Sequence, residues 1–172
     1  MLCDLDQVPV YVGQSRDGIR RRVARHLTSA RSDIIANRQI DVWEIAWVWT
    51  YPVARKDEIS SIEAMLYHHY DPQSQLMNGT VPIRPASLTG IPEPSQKIQV
   101  MSDPEIAEKR DPTQRLPRQA AHYAQIVGHF LAVKDSEQIA RAMRAHFQRL
   151  TKYHQMLLGL AEPDPADDEQ TD

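Results

Sequence analysis

The change of hydrophobic period at Gly13 constrains this chain more than any other feature. Val8, Val10 and Val12 alternate with polar or glycine neighbours, so residues 7–13 read as a strand that ends at Gly13. From Asp17 to about Ser29 the pattern changes: Ile19, Val23, Leu27 and Ala30 recur at helical spacing and form one apolar stripe. Asp4–Gln7 supplies a turn ahead of the strand, which implies another strand just upstream.

The next forty or so positions repeat the alternation of strand and helix. Residues 41–50 (DVWEIAWVWT) are rich in β-branched and aromatic side chains, with Trp43, Ile45, Trp47 and Trp49 on one face, and Tyr51-Pro52 closes the run. A second helix is expected from about Lys56 to Tyr70, with Ile59, Ile62, Leu66 and Tyr70 as its buried stripe and Asp71-Pro72 as its stop. Residues 1–80 therefore read as a small α/β (α+β) domain with a short mixed or antiparallel sheet. Residues 81–116 are rich in proline and hold neither period, the pattern of a linker or an extended wrap. Two helices follow, roughly Pro117–Val133 and Asp135–Leu158, forming a helical hairpin. The stripe Ile139, Met143, His146, Phe147, Leu150, His154 and Leu157 must pack on its partner helix, on the first domain or on another copy of the chain. The last possibility makes a homo-oligomer through these helices an expectation. Residues 161–172 read as an acidic, disordered tail.

At 172 residues the chain suffices for one ordinary core, or one small domain with an appendage. It holds 41% apolar residues and no apolar run of membrane-spanning length, and acidic residues follow Met1 too closely for a signal peptide. The single Cys3 excludes an internal disulfide and suits a reducing compartment, so a soluble, cytoplasmic protein is expected. A net charge of −3 argues against a polyanionic partner, but the distribution reverses that argument. Seven arginines lie between Arg16 and Arg38 against only Asp17 and Asp33, whereas the tail carries six acids and no base. Arg16, Arg20, Arg21 and Arg25 are the candidates for phosphate contact; the alternative is that they form only a solvated helix face.

Arg22 and His26 are four residues apart, on one helical face beside the apolar stripe. That placement orients them toward the strand end bearing Tyr11. Arginine suits a phosphodiester because its planar fork stays charged and donates parallel hydrogen bonds. Taken alone, the pair reads equally as an edge-of-core arginine with a capping histidine. The scattered histidines have no zinc-type spacing with cysteine and read as helix-face residues beside a core, and the tryptophans read as core before base stacking. No Walker loop or dinucleotide fingerprint is present.

Tyr11-Val12-Gly13, Arg22 followed by Val23, His26, and Glu63 opening the segment Glu63-Ala64-Met65-Leu66-Tyr67-His68-His69-Tyr70-Asp71-Pro72 occur in an order that resembles the GIY-YIG endonuclease family. The resemblance covers about residues 1–80. It implies a three-stranded central sheet flanked by helices, and a metal-dependent endonuclease that hydrolyses DNA phosphodiester bonds. It implies catalytic roles for Tyr11, Arg22 and His26, and a single Mg²⁺ or Mn²⁺ ion held by Glu63. Asn78, after a longer Gln73–Met77 spacer, is the candidate for the asparagine that follows the helix proline in that family. The Gly-Ile-Tyr strand of the signature is not present, because Met1-Leu2-Cys3-Asp4 stands where it should end. Either the native start lies upstream or this copy has one active-site tyrosine fewer. The competing expectation is a catalytically silent module that binds DNA or a protein partner.

Overall fold

Asp4 organises the first turn. Its carboxylate accepts the backbone N–H groups of Asp6 and Val8, both at 2.9 Å, and its own N–H donates to the Val8 carbonyl at 2.9 Å. Gln7 takes φ 63° to close the hairpin. The hairpin joins β1 (Leu2–Cys3) to β2 (Pro9–Tyr11), and Leu2 pairs with Tyr11. The upstream strand implied by the turn is therefore present. In this computed structural model, residues 1–15, 18–28, 39–133 and 136–160 are described, with the backbone alone for 25–28. The acidic tail, Arg16 and most of the arginine-rich segment after the first helix lie outside the described residues.

The sheet has four strands, not the three implied by the family resemblance. β3 (Trp47–Thr50) and β4 (Gln96–Gln99) complete an antiparallel sheet of order β2-β1-β3-β4, in which Leu2 pairs with Val48 and Val48 with Ile98. β4 lies inside the segment read as a linker. It is an edge strand whose residues are mostly exposed, so it shows no hydrophobic alternation to read. β3 is shorter than residues 41–50 because Asp41 caps a 3₁₀ turn over Val42–Glu44, accepting the Trp43 N–H at 3.2 Å. Trp43 is thereby removed from the strand face that Trp47 and Trp49 share.

The helices are α1 (Ile19–Thr28), α2 (Ile59–Tyr70), α3 (Asp103–Arg110), α4 (Pro112–Val133) and α5 (Glu137–Leu157). A 3₁₀ turn at Lys56–Glu58 leads into α2. α3 also falls in the segment read as a linker. Ser102 caps it by accepting the Glu105 N–H at 3.4 Å, with Pro104 in the first turn. α4 begins five residues before Pro117: Asp111 accepts the Thr113 N–H at 2.9 Å, Pro112 occupies the first helical position, and Pro117 lies inside the helix. No helix among the described residues is long and apolar enough to cross a membrane.

Three apolar clusters position these elements. Leu2, Val10 and Val48 of the sheet pack with Ile40, Ile45, Met77 and Ala145 of α5, and Tyr11 and Val23 close that cluster from the side. Val12 packs with Leu66 and Tyr67 of α2 and with Leu76. Leu5 and Ala46 pack with Ile106 of α3. Through Ala145, α5 packs against the cluster built on the sheet.

Arginines bind the C-terminal helices to the first eighty residues. Arg115 is wholly buried and reaches Glu44 at 2.8 and 3.1 Å, Asp6 at 2.7 Å and the Tyr153 hydroxyl at 2.9 Å. Arg149 donates to Asp4 at 2.6 Å, to the Pro9 carbonyl and to Ser74. Arg118 pairs with Asp41 at 2.9 Å, Arg141 with Asp71 and Arg110 with Asp6. Asp4, Asp6, Asp41, Glu44 and Asp71 are thus engaged within the fold. His122 and His146 sit in the same seam, their rings 4.9 Å apart, and His146 meets the Gln39 carbonyl at 2.9 Å. Burial holds the His146 imidazole neutral, with its pKa lowered to about 3.

Candidate active site

The end of β2 is held rigidly. Asn78 Oδ1 accepts the Val12 N–H at 3.1 Å, and Asn78 Nδ2 donates to the Val12 carbonyl at 2.7 Å. The Met77 N–H adds a bond to the Val10 carbonyl at 2.8 Å. Residues 77–78 therefore act as a short substitute strand on the outer side of β2. Asn78 is buried, and both ends of its amide are used by the backbone of the motif, so its place is that of a clamp.

Gly13 is required for a steric reason. A Cβ at this position would lie 2.6 Å from Tyr11 Cε1 and 3.2 Å from the Tyr11 hydroxyl oxygen. The Tyr11 ring therefore lies directly over the glycine, half-buried at the strand end. The chain continues from Gly13 to Gln14, whose backbone N–H faces the Glu63 carboxylate and favours its charged form.

Glu63 lies on α2, two turns before its C-terminal end, and is half-buried. Burial raises its carboxyl pKa, while the Gln14 N–H and the positive charge of Arg22 pull it back. Arg22 comes from α1, which Val23 anchors against the core. Its Nε is buried and has no hydrogen-bond partner, and it forms no ion pair among the described residues. β2, α1 and α2 therefore bring the tyrosine turn, Arg22 and Glu63 into one neighbourhood. His26 continues α1 one turn beyond Arg22, but its side chain lies outside the described residues, as does that of Arg25. Arg20 and Arg21 are exposed on α1.

The tryptophans are engaged elsewhere. Trp49 lies under the Lys97 ammonium, 4.3 Å from its ring centre, and meets Tyr70 edge-on. Trp43 lies under Lys109 at 5.2 Å. His68 meets the Pro82 carbonyl at 2.8 Å.

Gln14 is the residue that sequence reasoning did not single out. Its side-chain Oε1 is buried with no hydrogen-bond partner. Only its place beside Gly13 could have drawn attention to it.

The donor set around Glu63 fits a hard divalent cation. It offers a half-buried carboxylate with no ion-pair partner among the described residues, and an orphaned amide oxygen on the adjoining turn. Among the described residues no three His, Cys, Asp or Glu side chains gather to form a fuller cage. Compared with known proteins, the chain matches no family model, no curated protein and no solved structure. The fold is a mixed helix-and-sheet α+β architecture, and its candidate site joins a strand-end tyrosine, an arginine and a glutamate.

Proposed function

We propose that this chain is a metal-dependent endonuclease of the GIY-YIG type, hydrolysing DNA phosphodiester bonds in the cytoplasm. What supports the reading is that Arg22 and Glu63, far apart in the chain, lie near enough for the arginine's charge to act on the carboxylate, with no salt bridge between them among the described residues. A structural ion pair would use the arginine up, whereas here Arg22 Nε is left with a hydrogen to donate.

In this reading Arg22 donates to the non-bridging oxygens of the scissile phosphate and offsets the charge that builds there. Tyr11, as its phenolate, accepts the proton of the attacking water while the water oxygen bonds to phosphorus and the bond to the leaving oxygen breaks, and the leaving alkoxide takes its proton from solvent. An ordinary phenol titrates near 10, so neighbouring positive charge from Arg22 is part of that role. His26 orients the water or relays its proton. Glu63 holds Mg²⁺ or Mn²⁺, and such an ion, when bound, supplies Lewis-acid relief of charge on the phosphate and leaving oxygens. Exposed Arg20 and Arg21, with Arg16 and Arg25, supply contacts to flanking phosphates.

A supercoiled-plasmid nicking assay with Mg²⁺ or Mn²⁺ tests the reading. Glu63→Gln should abolish nicking with DNA affinity retained, and Arg22→Ala should reduce both. DNA binding that weakens steeply with salt, without any nicking, would replace the nuclease with a silent DNA-binding module.

A further inference from the structure

A divalent ion held by one carboxylate must complete its shell with other oxygens. Mg²⁺ and Mn²⁺ take these from water, from substrate phosphate or from amide and carbonyl groups. Glu63 is the acidic side chain that the Gln14 backbone faces, and an oxygen added by Gln14 itself would be a neutral one.

The turn supplies one. Gln14 follows the glycine over which the Tyr11 ring lies, and its main-chain N–H faces the Glu63 carboxylate. The Gln14 backbone is thereby placed near the carboxylate. The Gln14 Oε1 is out of contact with solvent and accepts no hydrogen bond. Leaving a buried amide oxygen unsatisfied costs about 1–3 kcal/mol, so such atoms normally have a partner. Arg22 Nε, whose charge acts on Glu63, is orphaned in the complementary sense: it is a buried donor without an acceptor. A phosphate oxygen satisfies the donor, and a cation satisfies the acceptor. The two orphans thus divide between the two halves of a metal-bound phosphodiester.

Building on the nuclease reading, we infer that Gln14 Oε1 is a second protein ligand, beside Glu63, for the divalent cation. The amide is neutral, so it adds an oxygen without adding a charge that would bind Arg22 and withdraw it from the phosphate.

Mn²⁺ binding to the full chain in the absence of DNA, followed by the loss of the free-ion electron spin resonance signal, tests this inference. Gln14→Met keeps the side-chain length and removes the oxygen; Gln14→Glu replaces the amide with a carboxylate. The wild-type chain should bind one Mn²⁺, and Glu63→Gln should lose it. Gln14→Met should weaken it by at least about tenfold, the lower end of the loss seen even for outer-shell partners. Gln14→Glu should tighten it, because a second carboxylate strengthens the site. The metal-free melting temperature of Gln14→Met should not fall, which separates ligation from a structural role. If Gln14→Met binds Mn²⁺ as the wild type does while Glu63→Gln does not, Gln14 is no ligand and the nuclease reading stands. If Mn²⁺ binding depends on Gln14 but no DNA is nicked, the ligand assignment stands and the nuclease reading falls. If the wild type takes up no Mn²⁺, both fall.

Discussion

Replacing Arg115 with alanine should remove the most consequential polar contact in the molecule. Its guanidinium is wholly buried, donates twice to Glu44 and once to Asp6, and packs 3.9 Å from the centre of the Tyr153 ring. Without it Glu44, itself 7% exposed, becomes an unpaired buried carboxylate. Breaking a buried pair by removing one partner costs about 3–5 kcal/mol. At about 2–4 °C per kcal/mol for a chain of this size, the melting temperature should fall by roughly 10 °C. The loss should also depend on pH. Burial already raises the Glu44 pKa and Arg115 only partly offsets it, so the variant raises it further. A carboxylate whose folded pKa is raised contributes stability at low pH that disappears as pH climbs through the folded value. The gap between wild type and Arg115→Ala should therefore narrow on acidification, by about 1.4 kcal/mol for each unit of added shift. Urea unfolding followed by tryptophan fluorescence near neutral pH and near the carboxylate range measures both quantities. Adding Glu44→Gln to the variant should recover much of the loss, since the stranded charge is then gone. A cost below about 1 kcal/mol, or a gap that does not change with pH, would refute the reasoning.

Gly13→Ala drives a methyl group into the Tyr11 ring, and should cost about 1–3 kcal/mol while displacing the tyrosine, readable as a lower urea midpoint and a shift of the Tyr11 ring resonances. Asn78→Ala strands the buried Val12 N–H and carbonyl and should cost about 2–4 kcal/mol by the same unfolding assay; an unchanged midpoint would deny its role as the clamp on β2. Because burial raises the Glu63 pKa, the metal-free protein should gain stability as pH falls through the carboxylate range, and Glu63→Gln should flatten that part of the profile. Nicking and Mn²⁺ uptake should show the opposite trend and decline over the same range, as protons compete for Glu63. Deleting residues 161–172 removes six negative charges and should leave DNA binding intact, with the logarithm of affinity falling linearly against that of salt; salt-insensitive binding would remove α1 as the contact surface.

The elements with strong local period were legible in the sequence. Val8–Val12 and the α2 stripe each repeat a spacing that depends only on backbone geometry. Of the first-helix stripe, Val23 packs on the core whereas Ile19 is exposed. Asp4 and Ser136 announce a turn and a cap through bonds to residues two to four positions away. The capping signal Ser102-x-x-Glu105 was equally local and is readable once proline content is no longer taken to mean a linker. β4 carried no such signal, because an edge strand exposed along most of its length has no buried face to impose alternation. The candidate site divides the same way. Tyr11, Gly13, Arg22 and Glu63 were marked by residue type and order, but a sequence does not say which carboxylate faces which arginine. Glu44 and Arg115 lie 71 positions apart, and Asp4 and Arg149 lie 145 apart. Those partnerships, the use of Asn78 as a clamp and the orphaned oxygen of Gln14 were decided only by tertiary structure. The physical reason is that burial sets the worth of a charge or an amide, and burial is a property of the packed chain, not of any stretch of it.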